Sequence, residues 1–110
     1  MKVIIKCPGE LIGHYEEIDN DLHALQRKVG GYVEMVRITD KLVMLVDEDG
    51  IAKGAEKNFC IEYVGMRQWI RGMMLLCGQD GDDFTDVPIE LETWELYLMM
   101  WGNITEEEVE

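Results

Sequence analysis

Apolar and polar positions along the chain alternate between short strand-like runs and longer segments with a helical period. Apolar runs that are bounded by turn residues, and runs rich in β-branched and aromatic residues, predict strands. Such runs lie at 3–5, 32–38, 42–46 and 73–77, and a more polar run at 14–18 is typical of an edge or hairpin strand. Residues 59–66 fit neither pattern clearly. The pattern therefore predicts a small sheet that includes a hairpin turning at Thr39-Asp40.

Two segments carry the spacing of an amphipathic helix. The first spans about 20–29, with Asp19-Asn20 as a predicted N-cap and Gly30-Gly31 as its stop. The second spans about 88–101, with Pro88 in the first turn, where a missing N–H costs nothing. Strands mixed with two packed helices predict an α+β fold with a small mixed or mainly antiparallel sheet.

The length of 110 residues favours one domain, which we place at 1–103, followed by an acidic tail at 104–110 expected to be disordered. Hydrophobic residues make up 47% of the chain, which is enough for a packed core. The start of the chain lacks a signal-peptide pattern, and no apolar run reaches transmembrane length. We therefore expect a cytoplasmic location and no membrane contact.

The charge balance is strongly acidic and uneven. Twenty-three acids against ten bases give a net charge of −13, which argues against direct nucleic-acid binding through bulk positive charge and against anionic membranes. Residues 1–71 hold all ten bases and twelve acids, whereas residues 72–110 hold eleven acids and no base. Nearly all of the net charge therefore belongs to the last 39 residues.

The acidic residues near the C-terminus form a candidate interaction surface. Its members precede and begin the second helix: Asp80, Asp82, Asp83, Asp86, Glu90, Glu92 and Glu95. Like charge at this density costs folding stability through self-repulsion. One interpretation is a solvated face that serves solubility. The other is a surface that meets a basic partner protein, including the case of an inhibitor that imitates the phosphates of DNA.

A short stretch around Trp69 is the most distinctive local pattern. If it is extended, Arg67, Trp69 and Arg71 share one face, because side chains alternate along a strand. Two guanidinium groups beside an indole could hold a phosphate and stack on a base. The alternative is a half-buried tryptophan between two solvated arginines that pair with the acidic end.

The sequence shows no motif of a metal, cofactor or catalytic site. Three widely spaced cysteines and two histidines fit no zinc pattern, so we expect reduced structural thiols. The segment from Asp80 to Asp86 fails the EF-hand pattern, since Phe84 and Thr85 occupy a ligand and a glycine position. No histidine lies beside a nucleophile motif. We therefore expect neither an enzyme nor a cofactor.

Several segments resemble a known family. They are Pro8-Gly9-Glu10, Glu17-Ile18-Asp19, Val29-Gly30-Gly31-Tyr32-Val33-Glu34 and Asp83-Phe84-Thr85, and they are similar to domain-of-unknown-function family 3846 over about residues 1–86. The resemblance implies a small protein of phages, plasmids or other mobile elements, mostly of Gram-positive bacteria. It implies no catalytic residue. Residues 59–71 and the last helix depart from the family pattern.

These observations lead to two functional hypotheses. The first is a non-enzymatic accessory protein of a mobile element that binds a basic host protein through the acidic surface, as a counter-defence inhibitor would. The alternative is a protein that sequesters a small ligand or nucleotide with Arg67, Trp69 and Arg71. A homodimer is also open, because the run at 42–46 and the methionine-rich last helix could leave apolar surface exposed.

Overall fold

The computed structural model describes residues 1–109, which form strands and helices in mixed order. The strands are β1 (Lys2–Lys6), β2 (His14–Glu17), β3 (Val33–Arg37), β4 (Leu42–Asp47), β5 (Lys57–Tyr63), β6 (Met66–Arg71), β7 (Met74–Asp80) and β8 (Asp83–Thr85). The helices are α1 (Leu22–Val29), α2 (Leu91–Met100) and α3 (Glu106–Val109). The predicted α+β class is confirmed.

The main sheet is antiparallel and has the order β2-β1-β7-β4-β3, with β8 paired to the end of β7. The apolar runs at 42–46 and 73–77 supply β4 and β7 in its interior, which explains why both lack polar alternation. The more polar β2 lies at an edge, as its sequence predicted. Strands β5 and β6 form a separate hairpin.

The sheet is covered on both faces. Helix α1 packs on one face, where Leu25 and Val29 meet Val3, Ile5 and their neighbours. The hairpin β5–β6 and α2 share the other face around an aromatic cluster. Within that cluster the ring of Trp94 lies 5.4 Å from Phe59 and 5.8 Å from Trp101, both edge-on. The hairpin and α2 therefore pack against the same face of the sheet in one hydrophobic cluster.

The N-cap of helix α1 lies one residue after the predicted Asp19-Asn20 cap. Asp21, not Asp19-Asn20, is the N-cap, and its carboxylate accepts the N–H of Ala24 at 2.9 Å. The predicted stop is confirmed, because Gly30 adopts φ of 91° and donates its N–H to the Gln26 carbonyl.

Helix α2 begins at Leu91, so the prediction that Pro88 lies in its first turn is wrong. The N–H of Val87 donates to the Lys2 carbonyl at 2.8 Å, which ties this non-helical part of the chain to β1. The helix starts where the Tyr15 hydroxyl accepts the N–H of Leu91 at 2.7 Å. A contact with β2, distant in sequence, therefore sets this helix boundary.

Three further segments differ from the sequence prediction. Residues 79–83, predicted as a loop, mostly belong to β7 and β8 and leave a two-residue turn. The segment predicted as loop up to residue 58 includes the start of β5. The tail, expected to be disordered, contains α3 at Glu106–Val109. Residues 42–46 are fully buried inside the sheet, so they offer no apolar surface to a second copy.

Candidate functional site

The predicted acidic residues remain open to solvent. Six are exposed: Asp80, Asp82, Asp83, Asp86, Glu90 and Glu92. Glu95 is half-buried on α2. Among residues 1–109, none of the seven forms an ion pair with a lysine, arginine or histidine. The carboxylates are therefore not neutralised by the arginines of β6.

A chain of contacts ties the acidic residue after β8 to the acidic start of α2. The Asp86 carboxylate accepts the N–H of Lys2 at 2.9 Å, and the Lys2 ammonium lies 4.3 Å from the ring centre of Tyr15. The Tyr15 hydroxyl in turn donates to Glu90 at 2.9 Å. Asp86, which follows β8, is thus joined to Glu90 at the start of α2 through β1 and β2.

Two acids from the first part of the chain lie beside this region, and sequence reasoning missed them. The side-chain amide of Asn20 donates to the Phe84 carbonyl at 2.8 Å, which places Asp19 and Asp21 next to β8. No local signal could have predicted this, because the contact joins residues 64 positions apart. We call the exposed set the acidic face: Asp19, Asp21, Asp80, Asp82, Asp83, Asp86, Glu90 and Glu92.

The outer side of α2 is apolar although nothing covers it among the described residues. Leu96 is 63% exposed and Met100 is 66% exposed. They follow Glu92 at four-residue intervals, so the three side chains form one stripe along the helix. A hollow of about 250 Å³ lies along the stripe, lined by Thr93, Leu96, Tyr97 and Met100. The stripe starts at the acidic face.

The Arg67–Trp69–Arg71 stretch is extended, as the alternation argument required, and forms β6. Arg67, Trp69 and Arg71 share the outward face of the hairpin, whereas Ile70 is buried on the opposite face. Arg67 is paired with Glu62 at 3.3 Å. Arg71 donates to the Ala55 carbonyl at 3.1 Å, and Trp69 is 44% exposed.

The three residues do not line one common site. A groove of about 340 Å³ runs between β3 and β6, and Trp69 and Arg71 line it whereas Arg67 does not. Lys57 stands beside them instead, with its ammonium 5.0 Å from the ring centre of Trp69. Sequence reasoning missed Lys57 because it placed residues up to 58 in a loop.

One protein family matches the part of the chain that contains all of the candidate site residues described above. Residues 1–102 match the family described as Domain of unknown function (DUF3846). The chain belongs to the DUF3846 family. The match reaches beyond the predicted 1–86 and includes residues 59–71 and α2, which the sequence had set apart from the family pattern. No curated protein and no solved structure gives a significant match.

This DUF3846 protein also has a compact set of charges that all have partners. His14 joins two carboxylates, with Nδ1 2.8 Å from Glu10 and Nε2 2.8 Å from Glu16. Glu16 also accepts from the Lys28 ammonium at 2.6 Å. We call Glu10, His14, Glu16 and Lys28 the paired cluster. It depends on contacts between β2, α1 and the loop after β1, so spacing alone could not reveal it.

The paired cluster shifts the pKa of its members in the expected directions. Glu10 and Glu16 raise the pKa of His14, because two acceptors need two N–H donors and only the protonated imidazole has both. The hydrogen bond from Lys28, and to a smaller extent that from His14, lowers the pKa of Glu16. Burial acts to raise the pKa of Glu10, but the Cys7 N–H and His14 outweigh it. The cluster therefore favours charged side chains at neutral pH.

The cysteines of the DUF3846 chain are free thiols. Cys60 and Cys77 are buried, and burial raises the pKa of Cys77 to about 12. Cys7 is half-buried, and burial followed by the Glu10 carboxylate raises its pKa. A raised pKa disfavours the reactive thiolate. None of these environments is typical of a nucleophilic cysteine.

Next to the paired cluster lies a buried lysine with an amide partner. Lys6 is 3% exposed and donates from Nζ to the Asn58 side chain at 2.7 Å. The Asn58 amide donates back to the Lys6 and Gly72 carbonyls. Burial lowers the pKa of Lys6. Asn58 therefore links β1, the hairpin and the turn before β7.

The described residues form neither a metal-ligand cluster nor a membrane-spanning helix. Within the described part of the chain, no group of three or more histidine, cysteine or acidic side chains is placed to hold a metal ion. The Asp80–Asp86 segment comprises the end of β7, a two-residue turn, β8 and the residue that follows it. Over the same residues, no helix has the length and apolar character needed to cross a bilayer.

Proposed function

We propose that this DUF3846 protein is a non-enzymatic protein-binding module, and that the acidic face together with the outer side of α2 is its contact surface. The observation that carries the proposal is the exposed stripe of Leu96 and Met100, which begins beside carboxylates that have no cationic partner within residues 1–109. An apolar centre with a charged rim is the usual anatomy of a protein interface.

The energetics of both parts favour a partner. Gathering like charges at one side of the fold destabilises the free protein, and a basic surface would relieve that repulsion. Covering an exposed leucine or methionine contributes about 1.5–3 kcal/mol of hydrophobic free energy. The two contributions act on neighbouring residues, so one partner could use both.

The charge also selects the class of partner. A symmetric dimer through this surface would place carboxylate against carboxylate, so we propose a basic partner protein and not a second copy. A host protein met by a mobile-element accessory protein would fit this description. That setting follows from the family resemblance and remains a prediction.

The test is affinity capture from a bacterial lysate with three versions of the protein. We expect the wild type to retain a basic protein that is released as salt rises. Leu96→Ser/Met100→Ser should lose the apolar part of the contact, and Asp82→Asn/Asp83→Asn/Glu92→Gln should lose its electrostatic part. The captured protein should be depleted with both variants.

Ile51→Ser is the matched control, because Ile51 is 69% exposed but lies near the β3–β6 groove. This variant should capture the same protein as the wild type. If all four versions capture the same set, or if the retained protein resists salt, the proposal is wrong. Sedimentation velocity of the wild type tests the homodimer separately, since self-association at low salt would contradict the charge argument.

A further inference from the structure

The outward side of the hairpin β5–β6 carries cations that have no carboxylate partner among the described residues, in a chain rich in acids. The strand register places Lys57 opposite Arg71. Among residues 1–109, neither forms an ion pair with a carboxylate, although the chain has 23 acids and ten bases. Arg67 on the same strand does have a partner, Glu62. Lys57 and Arg71 are therefore left free to meet an external anion.

The two cations are held beside an aromatic ring. The Lys57 ammonium lies 5.0 Å from the ring centre of Trp69, where the indole attracts it. The Arg71 guanidinium uses Nη1 on the Ala55 carbonyl, which anchors the side chain. A guanidinium has five N–H donors, so others remain available to a phosphate.

Trp69 and Arg71 also line the groove between β3 and β6. The groove has a volume of about 340 Å³, which is near the lower end of the range for small-molecule sites, roughly 300–1,000 Å³. Its walls combine apolar side chains such as Val36 and Ile70 with the polar groups of Glu34 and Gln68. Such a lining suits a flat ring that carries a few hydrogen-bonding groups.

We propose that this site binds a nucleoside monophosphate. Lys57 and Arg71 hold the phosphate, Trp69 provides the aromatic contact, and the ring enters the groove, where the Glu34 carboxylate can accept from an exocyclic amine. The carboxylates of Glu34 and Glu48 in the groove, and the net charge of −13, disfavour longer polyanions. The site is separate from the acidic face, so it does not depend on the proposed protein-binding function.

Calorimetry and tryptophan fluorescence provide the test, with adenosine 5′-monophosphate, adenosine and inorganic phosphate as probes. Trp69 is exposed whereas Trp94 and Trp101 are buried, so a change in fluorescence reports on this site. We expect saturable binding of the monophosphate, about tenfold tighter than adenosine or phosphate. Absence of saturable binding, or equal binding of adenosine or of phosphate alone, overturns the proposal.

Matched variants locate the binding on the hairpin. Lys57→Gln and Arg71→Gln should each weaken the monophosphate about fivefold to tenfold, because each removes a charged hydrogen bond to phosphate. Arg67→Gln lies on the same face of β6 and should bind within about twofold of the wild type. Because Lys57 is exposed, Lys57→Gln should remain folded. It therefore tests the site even if Arg71→Gln unfolds.

Equal loss in the Arg67 variant, or no loss in the Lys57 variant, contradicts the assignment. Leu96→Ser/Met100→Ser should bind the monophosphate like the wild type. This last comparison keeps a failure of ligand binding distinct from a failure of the protein-binding proposal.

Discussion

The two ends of the β1–β2 hairpin differ in whether their carboxylates have cationic partners. At its loop end, the paired cluster neutralises every carboxylate, and Lys6 has an amide partner. At its open end, Lys2 and Tyr15 hold the acidic face together without neutralising it. Breaking a charge pair leaves one charge uncompensated, which destabilises the fold. Unpaired charges of one sign repel one another, and a partner of opposite charge would relieve that repulsion. The difference separates a structural region from a candidate binding region.

The largest effect is expected for Asn58→Ala, which tests the structural end. It removes the partner of the buried Lys6 ammonium and the donor to two carbonyls. We expect the free energy of unfolding to fall by about 2–4 kcal/mol, because a buried charge would lose its hydrogen bond. Urea denaturation measures it.

A second variant sharpens that result. Lys6→Met removes the charge together with its need for a partner, so it should lessen the cost of Asn58→Ala when the two are combined. Strict additivity of the two substitutions would mean that Lys6 and Asn58 are not coupled, and the description of this end would fail.

A smaller effect is expected for Glu16→Gln within the paired cluster. Glu16 accepts from both Lys28 and His14, at positions that are about one-third exposed, so solvent screens the pairs. We expect a loss of about 1 kcal/mol and a pKa of His14 closer to 6.5. NMR titration of the imidazole checks this, with His23→Gln as the control that leaves the His14 pKa unchanged.

The change in the wild-type free energy of unfolding with pH should be no larger than the loss expected for Glu16→Gln. The folded pKa of His14 is raised above 6.5, so its stabilisation is complete below that pH and is lost as pH rises through the folded value. The folded pKa of Glu16 is lowered from 4.5, so its contribution is lost as pH falls below that value. His14→Gln should flatten the upper part of the profile of unfolding free energy against pH. An unchanged profile would show that His14 is not paired in solution.

The smallest effect is expected at the acidic face. Asp82→Asn/Asp83→Asn should change the free energy of unfolding by less than about 0.5 kcal/mol, and the change should be stabilising, because repulsion is removed. Added salt should raise the unfolding midpoint of the wild type more than that of the variant. A clear loss of stability would mean that these carboxylates have structural partners.

The sequence predicted elements whose signals are local. Helix α1 carries its cap, its apolar face and its glycine stop within ten residues, so only the exact cap was missed. Strands β4 and β7 are buried on both faces and are therefore recognisable as apolar runs. The uneven charge was visible as well, since it requires only counting.

What the sequence could not predict depends on distant contacts. The hairpin β5–β6 is ambiguous in sequence because Phe59 is buried by Trp94 of α2 and by Trp101, the C-cap of that helix. The paired cluster and the contribution of Asp19 to the acidic face require the fold to be complete. Arg67 fitted the alternation argument but belongs with Glu62, because cross-strand pairing overrides position along one strand.

The Tyr15 hydroxyl that caps α2 makes this helix dependent on a strand 76 positions earlier. An isolated C-terminal fragment would lack that acceptor and should fray at its start. The start of α2 therefore depends on β2 being in place. By thermodynamic linkage, any molecule that clamps α2 in place would also slow hydrogen exchange in β1 and β2.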